Sequence, residues 1–196
     1  MTRGKPGVVT EIWFVLLLST ACVFILLITR VGIGARSEVS ARTVRTALQL
    51  LTTQVPSGDE EAYAVFSRRF SQKSSGRIKT WQNQDQLSQW VFEASGAGMW
   101  GEMTLVGVVD LETETMTGLQ VIGQNETAGL GSRITEPVFA EQFVNLSLQP
   151  RVEMVRARFR NNQFDAVSGA TVTSKALETL INKAISQVRE NSRKKS

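Results

Sequence analysis

Histidine is absent from the 196 residues, and cysteine occurs once, at Cys22. These two absences exclude a catalytic histidine dyad or triad, a histidine-ligated haem, a cysteine-ligated iron–sulfur cluster within the chain and any intrachain disulfide. Redox work by such a chain needs an organic carrier. A basic domain surface is also missing, despite the formal charge of +4. Four of the 22 Lys and Arg and one of the 18 Asp and Glu precede residue 37, which leaves 18 against 17 beyond it. The surplus lies beside the N-terminal apolar run, so nucleic-acid binding has no electrostatic support. No nicotinamide-type glycine fingerprint stands out, and together with the lack of histidine this argues against an independent dehydrogenase.

What is present begins with that apolar run. Ile12 to Thr29 carries no charge in 18 residues, near the lower end of what crosses a hydrocarbon core as a helix. It reads as a single-pass anchor rather than a cleaved signal, because it exceeds a typical signal core and no A-x-A-like site follows. Ser19-Thr20-Ala21-Cys22 fits a lipidation box poorly, lacking Leu three residues before the Cys. Arg3 and Lys5 precede the run and Arg30, Arg36, Arg42 and Arg45 follow it, so a positive-inside count places the larger part in the cytoplasm. The length suits one such anchor and one domain of ordinary size.

After a glycine-bearing link at 31–35, Ser37 to about Gln54 reads as a helix with Val44, Leu48 and Leu51 at helical spacing. Pro56-Ser57-Gly58-Asp59 stops it. Asp59-Glu60-Glu61 then loads the first turn of a second helix bearing Tyr63, Val65, Phe66 and Phe70. Ser71 to Gly76 reads as a polar loop, Arg77 to Trp81 as an edge strand, and Gln86 to Glu93 as an element of open type. A glycine-rich turn over 96–101 precedes two β-rich stretches, Met103–Val109 and Thr117–Gly123, expected to form a hairpin. A strand over Val152–Arg160 would place Arg156, Arg158 and Arg160 on one face, either a solvated outer face or an anion site. Asn161-Asn162 reads as a turn, and Gln163–Val167 leads to the last helix. There Ala176, Leu177, Leu180, Ile181, Ala184, Ile185 and Val188 form one apolar stripe, with Lys183 and Arg189 facing water. The expected fold is α+β, with a mostly antiparallel sheet and packed helices behind the N-terminal transmembrane helix.

Just ahead of that last helix stands Asp165-Ala166-Val167-Ser168-Gly169-Ala170-Thr171-Val172-Thr173-Ser174. A helix start offers unpaired N–H groups and the positive end of the macrodipole, and Gly169 with Ala170 allows an anion close to the backbone. A phosphate fits such a place. A plain helix cap by Ser or Thr fits it too.

The pattern D-x-x-S-G-A-T resembles the flavinylation motif of the FMN-binding domain family. A second segment, Glu126-Thr127-Ala128-Gly129-Leu130-Gly131, resembles the E-T-P-G-L-G loop of that family, with Ala128 where proline is usual. A third, Gly98-Met99-Trp100-Gly101, is similar to its glycine–aromatic turn. The resemblance covers residues 90–190 and within the family is nearest to the G subunit of Rnf electron-transport complexes and the C subunit of sodium-translocating NADH:quinone oxidoreductases. It implies FMN joined to Thr171 by a phosphoester, with Asp165, Ser168, Gly169 and Ala170 as recognition context. It further implies that Thr127, Gly129, Leu130 and Gly131 shape the pocket and that Thr173 donates to the phosphate. Glu126 either fixes its loop or faces solvent. Trp100 lies either near the isoalloxazine or in the core. No catalytic residue and no metal ligand are implied.

Attachment would need an external magnesium-dependent flavin transferase, since a threonine hydroxyl has no histidine here to activate it. The implied protein is an electron-transfer subunit of an ion-translocating oxidoreductase, with membrane and iron–sulfur subunits as partners. Its N-terminus (1–11) would be cytoplasmic, its span 12–29, its lead-in 30–89, its flavin domain 90–190 on the extracytoplasmic side of the inner membrane, and its basic tail 191–196. The side implied disagrees with the charge count; long domains translocate largely regardless of flanking charge. Two other functions stay open on the residues: a non-redox anchored adaptor, and a stand-alone extracytoplasmic flavin reductase.

Overall fold

β-Branched and apolar residues on either side of the polar connection at Leu111–Glu114 close a long hairpin. Its strands, Glu102–Asp110 and Thr115–Gly123, pair antiparallel from Asp110↔Thr115 to Thr104↔Gly123. The computed structural model describes residues 8–33, 39–51 and 54–194, with side chains at 11–24 of the first helix. The chain divides into two units between Glu38 and Val39.

The first unit is one helix, α1 (Val8–Ile33). It runs through Val31-Gly32-Ile33, where a link was expected, while Gly34 and Ala35 lie outside the described residues. Among the described residues, no helix is long and apolar enough to cross a membrane. The span read over 12–29 is helical, within α1, but its crossing of a membrane is not shown.

In the second unit, α2 (Ala41–Leu50) and α3 (Asp59–Arg69) lead into a six-stranded antiparallel meander. Its strands are β1 (Phe70–Ser74), β2 (Ile78–Asn83), β3 (Gln89–Ala97), β4 (Glu102–Asp110), β5 (Thr115–Gly123) and β6 (Leu146–Ser147), in spatial order 1 to 6. A short parallel pair, β7 (Glu153–Val155) and β8 (Gln163–Asp165), follows a four-residue helix α4 (Pro137–Ala140) and precedes the long α5 (Thr171–Arg193).

The sheet is covered on both sides, so its central strands are almost continuously buried. Trp90, Phe92 and Ala94 face one core with Leu177, Ile181, Ala184 and Val188 of α5. Val91, Val106 and Val108 face the other with Val44 and Leu48 of α2 and Phe66 of α3. On this second side the buried carboxylate of Glu93 takes the Lys79 ammonium at 2.8 Å and the Thr43 hydroxyl at 2.5 Å, which ties α2 to the sheet. Phe92 stands opposite Gly107 in the β3–β4 register. A Cβ on Gly107 would lie 2.3 Å from the Phe92 ring.

Three expectations need correction. Ser71–Gly76 is not wholly loop, because its polar residues form the edge strand β1, where only one flank pairs and side chains are half exposed. The strand expected at the edge over Arg77–Trp81 is interior, between β1 and β3. The strand expected over Val152–Arg160 ends at Val155. Beyond it the Arg158 N–H turns to Asp165 Oδ1 (2.6 Å), and the N–H groups of Phe159 and Arg160 turn to Gln163 Oε1 (both 3.2 Å), so the chain curls back and the arginines share no strand face.

Gly107→Ala places a methyl group into the Phe92 ring and is expected to cost about 2–3 kcal/mol, the upper part of the overpacking range. Denaturant unfolding of the full chain in detergent checks this; an unchanged midpoint would contradict the packing described.

Candidate functional site

Glu126 follows β5 and carries its charge into a place only 8 % exposed. A buried carboxylate needs donors, and three parts of the chain supply them. Oε1 accepts the N–H of Met99 (2.7 Å) and of Trp100 (3.3 Å), and Oε2 accepts the Thr173 hydroxyl (2.6 Å). One side chain thus holds together the 98–101 turn, the 126–131 loop and the first turn of α5. The glycines beside it are required by contact: a Cβ on Gly98 would lie 2.2 Å from Glu126 Oε1, and one on Gly131 would lie 2.8 Å from Glu126 Cβ.

The 126–131 loop closes without the usual proline. Leu130 and Ser132 both donate to the Thr127 carbonyl at 3.2 Å, Gly129 donates to Ser132 Oγ at 3.0 Å, and Gly129 takes φ +74°. Leu130 reaches back over Gly169, itself at φ +79°, with Cδ2 3.1 Å from where a Cβ would stand.

The start of α5 is built to stay open. Its N-cap is Ala170, and no side chain caps it, so the helix-cap reading of the Ser and Thr residues is set aside. The first helical hydrogen bond comes from Ser174 N–H to the Ala170 carbonyl at 3.0 Å. The N–H groups of Thr171, Val172 and Thr173 have no acceptor among the described residues. The preceding loop is fixed from behind: Ser174 Oγ donates to the Ala170 carbonyl (3.0 Å) and accepts the Val167 N–H (3.1 Å), and Ala170 N–H donates to the Val167 carbonyl (3.0 Å). Thr171, the first helical residue, is exposed, as are Ser168 and Gly169, while Ala170 is buried.

The other residues singled out in the sequence fall around this point with distinct surroundings. Thr173 is 1 % exposed and gives its hydroxyl to Glu126, which differs from the expected donation to a phosphate. Asp165 is half buried; besides receiving the Arg158 N–H, its own N–H donates to Gln142 Oε1 at 2.8 Å, so it shapes the β7–β8 loop. Thr127, Gly129 and Leu130 are exposed and Gly131 is buried. Trp100 is 67 % exposed, which removes the reading of it as a core tryptophan.

Sequence reasoning missed four contributors. Met99, next to Trp100 in the chain, and Val172, next to Thr171, are exposed apolar side chains, and Ser174 and Gln142 hold the loop. Ser174 was findable, since it stands four residues after Ala170 and a hydroxyl there returns to that carbonyl. Gln142 carries no local signal.

This arrangement suits a phosphate monoester bearing a flat apolar ring. Free N–H groups and the helix dipole meet the phosphate, the Thr171 hydroxyl lies within the same turn, and Met99, Trp100, Leu130 and Val172 offer the ring an apolar border. Thr171, Trp100, Leu130 and Val172 are all exposed, so a ring bordered by them would lie at the surface.

Residues 98–186 match the family described as FMN-binding domain. The G subunit of the ion-translocating oxidoreductase complex of Methanosarcina acetivorans is 35 % identical over 99 residues, covering 50 % of each chain. The C subunit of the Na(+)-translocating NADH-quinone reductase of Yersinia pestis is 29 % identical over 105 residues, 50 % of this chain and 40 % of that one. The chain thus spans about half or less of these curated relatives. The crystal structure of the corresponding Na(+)-translocating NADH-quinone reductase C subunit from Parabacteroides distasonis superposes with a TM-score of 0.55 at 19 % identity, over 78 % of this chain and 94 % of that one. That likeness concerns the fold.

Glu126→Ala strands the Met99 and Trp100 amides and is expected to cost about 1.5–3 kcal/mol, the range for hydrogen bonds to a charged group. Hydrogen exchange at those two amides should accelerate together. Exchange left at the wild-type rate would refute the clasp.

Proposed function

We propose that this chain, whose residues 98–186 match the FMN-binding domain family, carries FMN covalently on Thr171 and relays electrons within an ion-translocating oxidoreductase. The observation that supports it most directly is the open start of α5, where three N–H groups without acceptors and an exposed threonine hydroxyl share one turn. When bound, FMN would supply the one- and two-electron chemistry.

Each neighbouring residue then has a part. The amides of Thr171, Val172 and Thr173 receive the phosphate charge. Gly169 keeps the approach clear, and Ser168 and Ala170 present the acceptor to the enzyme that loads it. Glu126 and Thr173 hold the three loops in place from beneath, while Leu130 and Trp100 border the ring. Asp165 acts at one remove, through the β7–β8 loop. Thr171 Oγ would be the oxygen that joins the flavin phosphate, with AMP of the donor FAD as the group displaced. The hydroxyl proton passes to a base of the flavin transferase, since no histidine of this chain can take it.

The named relatives are subunits of an ion-translocating oxidoreductase complex and of a Na(+)-translocating NADH-quinone reductase. On that likeness, α1 is a single-pass anchor over 12–29 with residues 1–11 in the cytoplasm. Residues 30–89 form the lead-in, and the 90–190 flavin domain stands on the extracytoplasmic side of the inner membrane. Membrane and iron–sulfur subunits are its partners, and residues 191–196 are a basic tail.

Ultraviolet-excited fluorescence in a denaturing gel tests the attachment. With a competent flavin transferase co-expressed, the wild-type band should fluoresce, Thr171→Ala should be dark and Thr171→Ser should retain signal. A dark wild-type band, beside a control protein that the same transferase labels, would refute the proposal.

A further inference from the structure

The β7–β8 loop displays an aromatic ring rather than burying it. Phe159 is 75 % exposed although three backbone amides around it are held by Asp165 and Gln163, and Asn161 receives the Ser147 N–H at 2.8 Å. A loop tied down at so many points has a defined shape, so the exposure of Phe159 is part of that shape. The Arg160 guanidinium lies over the ring at 5.3 Å from its centroid. Arg156 and Arg160 have no carboxylate partner among the described residues, whereas Arg158 shares Asp165 at 4.0 Å.

This loop is one end of a continuous face. A cavity of 370 Å³ runs between Phe159, Arg158 and Arg160 on one side and Gln142 and Val144 on the other. Gln142 also lines a second cavity, of 160 Å³, which continues past Val138 and Asp165 to Ser168. Val138 is 73 % and Val144 56 % exposed. Three large apolar side chains and a surplus of guanidinium charge thus lead to within three residues of Thr171. Aromatic and arginine side chains around apolar patches are the composition of protein interface cores.

We infer that this face docks a redox protein whose surface offers carboxylates around an apolar pocket, with Phe159 filling that pocket and Arg156 and Arg160 pairing with its rim. The inference rests on the flavin reading and adds the place from which the flavin is addressed. Continuity with the attachment loop favours a protein over a lipid surface as occupant. A face that ends beside Thr171 brings a partner's own redox group next to the tethered ring, and a surface ring needs its partner to come to it.

The test is photo-crosslinking in the host's own membranes, with the full-length chain carrying Val144→p-benzoylphenylalanine. It is run on that chain alone, with Phe159→Ala, and with Arg156→Glu/Arg160→Glu. Flavin fluorescence of each chain is read in the same gels. The expected result is a crosslink to a cofactor-bearing redox protein, mapped by mass spectrometry to an acidic, apolar-centred site. Its yield should fall about tenfold in either variant, the loss typical of an interface anchor, while covalent fluorescence is unchanged. Fluorescent chains that crosslink only to phospholipid, only to a second copy or to nothing would overturn the docking assignment and leave the flavin reading standing. So would a crosslink to a redox protein that is indifferent to both variants. Dark chains throughout would instead overturn the flavin reading, and the docking assignment with it.

Discussion

The Glu126 carboxylate is the constraint on which the site depends. Three segments that are distant in sequence meet around one buried charge, which draws two amides of the 98–101 turn and the Thr173 hydroxyl to itself. Buried carboxylates that lose their donors are costly, so the three loops are fixed as a set. The glycines at 98 and 131 follow from the same demand, since any side chain there would occupy the space the carboxylate fills. Rigidity comes from below as well. The sheet under these loops is buried on both faces, with α5 on one side and α2 and α3 on the other, and α5 both covers the core and presents Thr171 at its tip.

The covalent tether proposed for Thr171 would suit a shallow site. Burial of a ligand is what ordinarily offsets the freedom lost on binding, and Thr171, Trp100, Leu130 and Val172 are all exposed. A covalent link makes the remaining contacts intramolecular, so weak surface contacts suffice to orient the ring. On the proposed function, a ring left at the surface would keep its edge open to a partner. The same logic explains why exposed apolar residues gather here: Met99, Trp100, Leu130 and Val172 are an unfavourable surface unless something covers them.

Much of this was legible in the chain. The β4–β5 hairpin and the apolar stripe of α5 follow from period-2 and period-3.6 patterns. The three motif segments named the loops that converge. What stayed hidden was non-local. Polar Ser71–Ser74 looks like loop because an edge strand needs no apolar alternation on its open flank. The alternation Val155, Ala157, Phe159 looks like strand, but Asp165 and Gln163 take the backbone donors that a strand would have used. Thr173 looks like a phosphate ligand until the burial of Glu126, which no local pattern encodes, claims its hydroxyl.

The cap of α5 shows what the fold gives up for this site. Alanine at an N-cap is less favourable than Ser, Thr, Asp or Asn by about 1 kcal/mol, and Ser168 and Thr171 lie close by without serving as the cap. A side-chain cap would place an oxygen on the very amides an anion needs. The helix recovers its definition one turn later, where Ser174 grips the Ala170 carbonyl and the Val167 amide at once, and further on through Leu177, Ile181, Ala184 and Val188 in the core. Because these fastenings lie behind the first turn, the front of the helix stays free of internal partners while remaining fixed in position. Stability and an open anion site are thus separated along one helix by less than two turns.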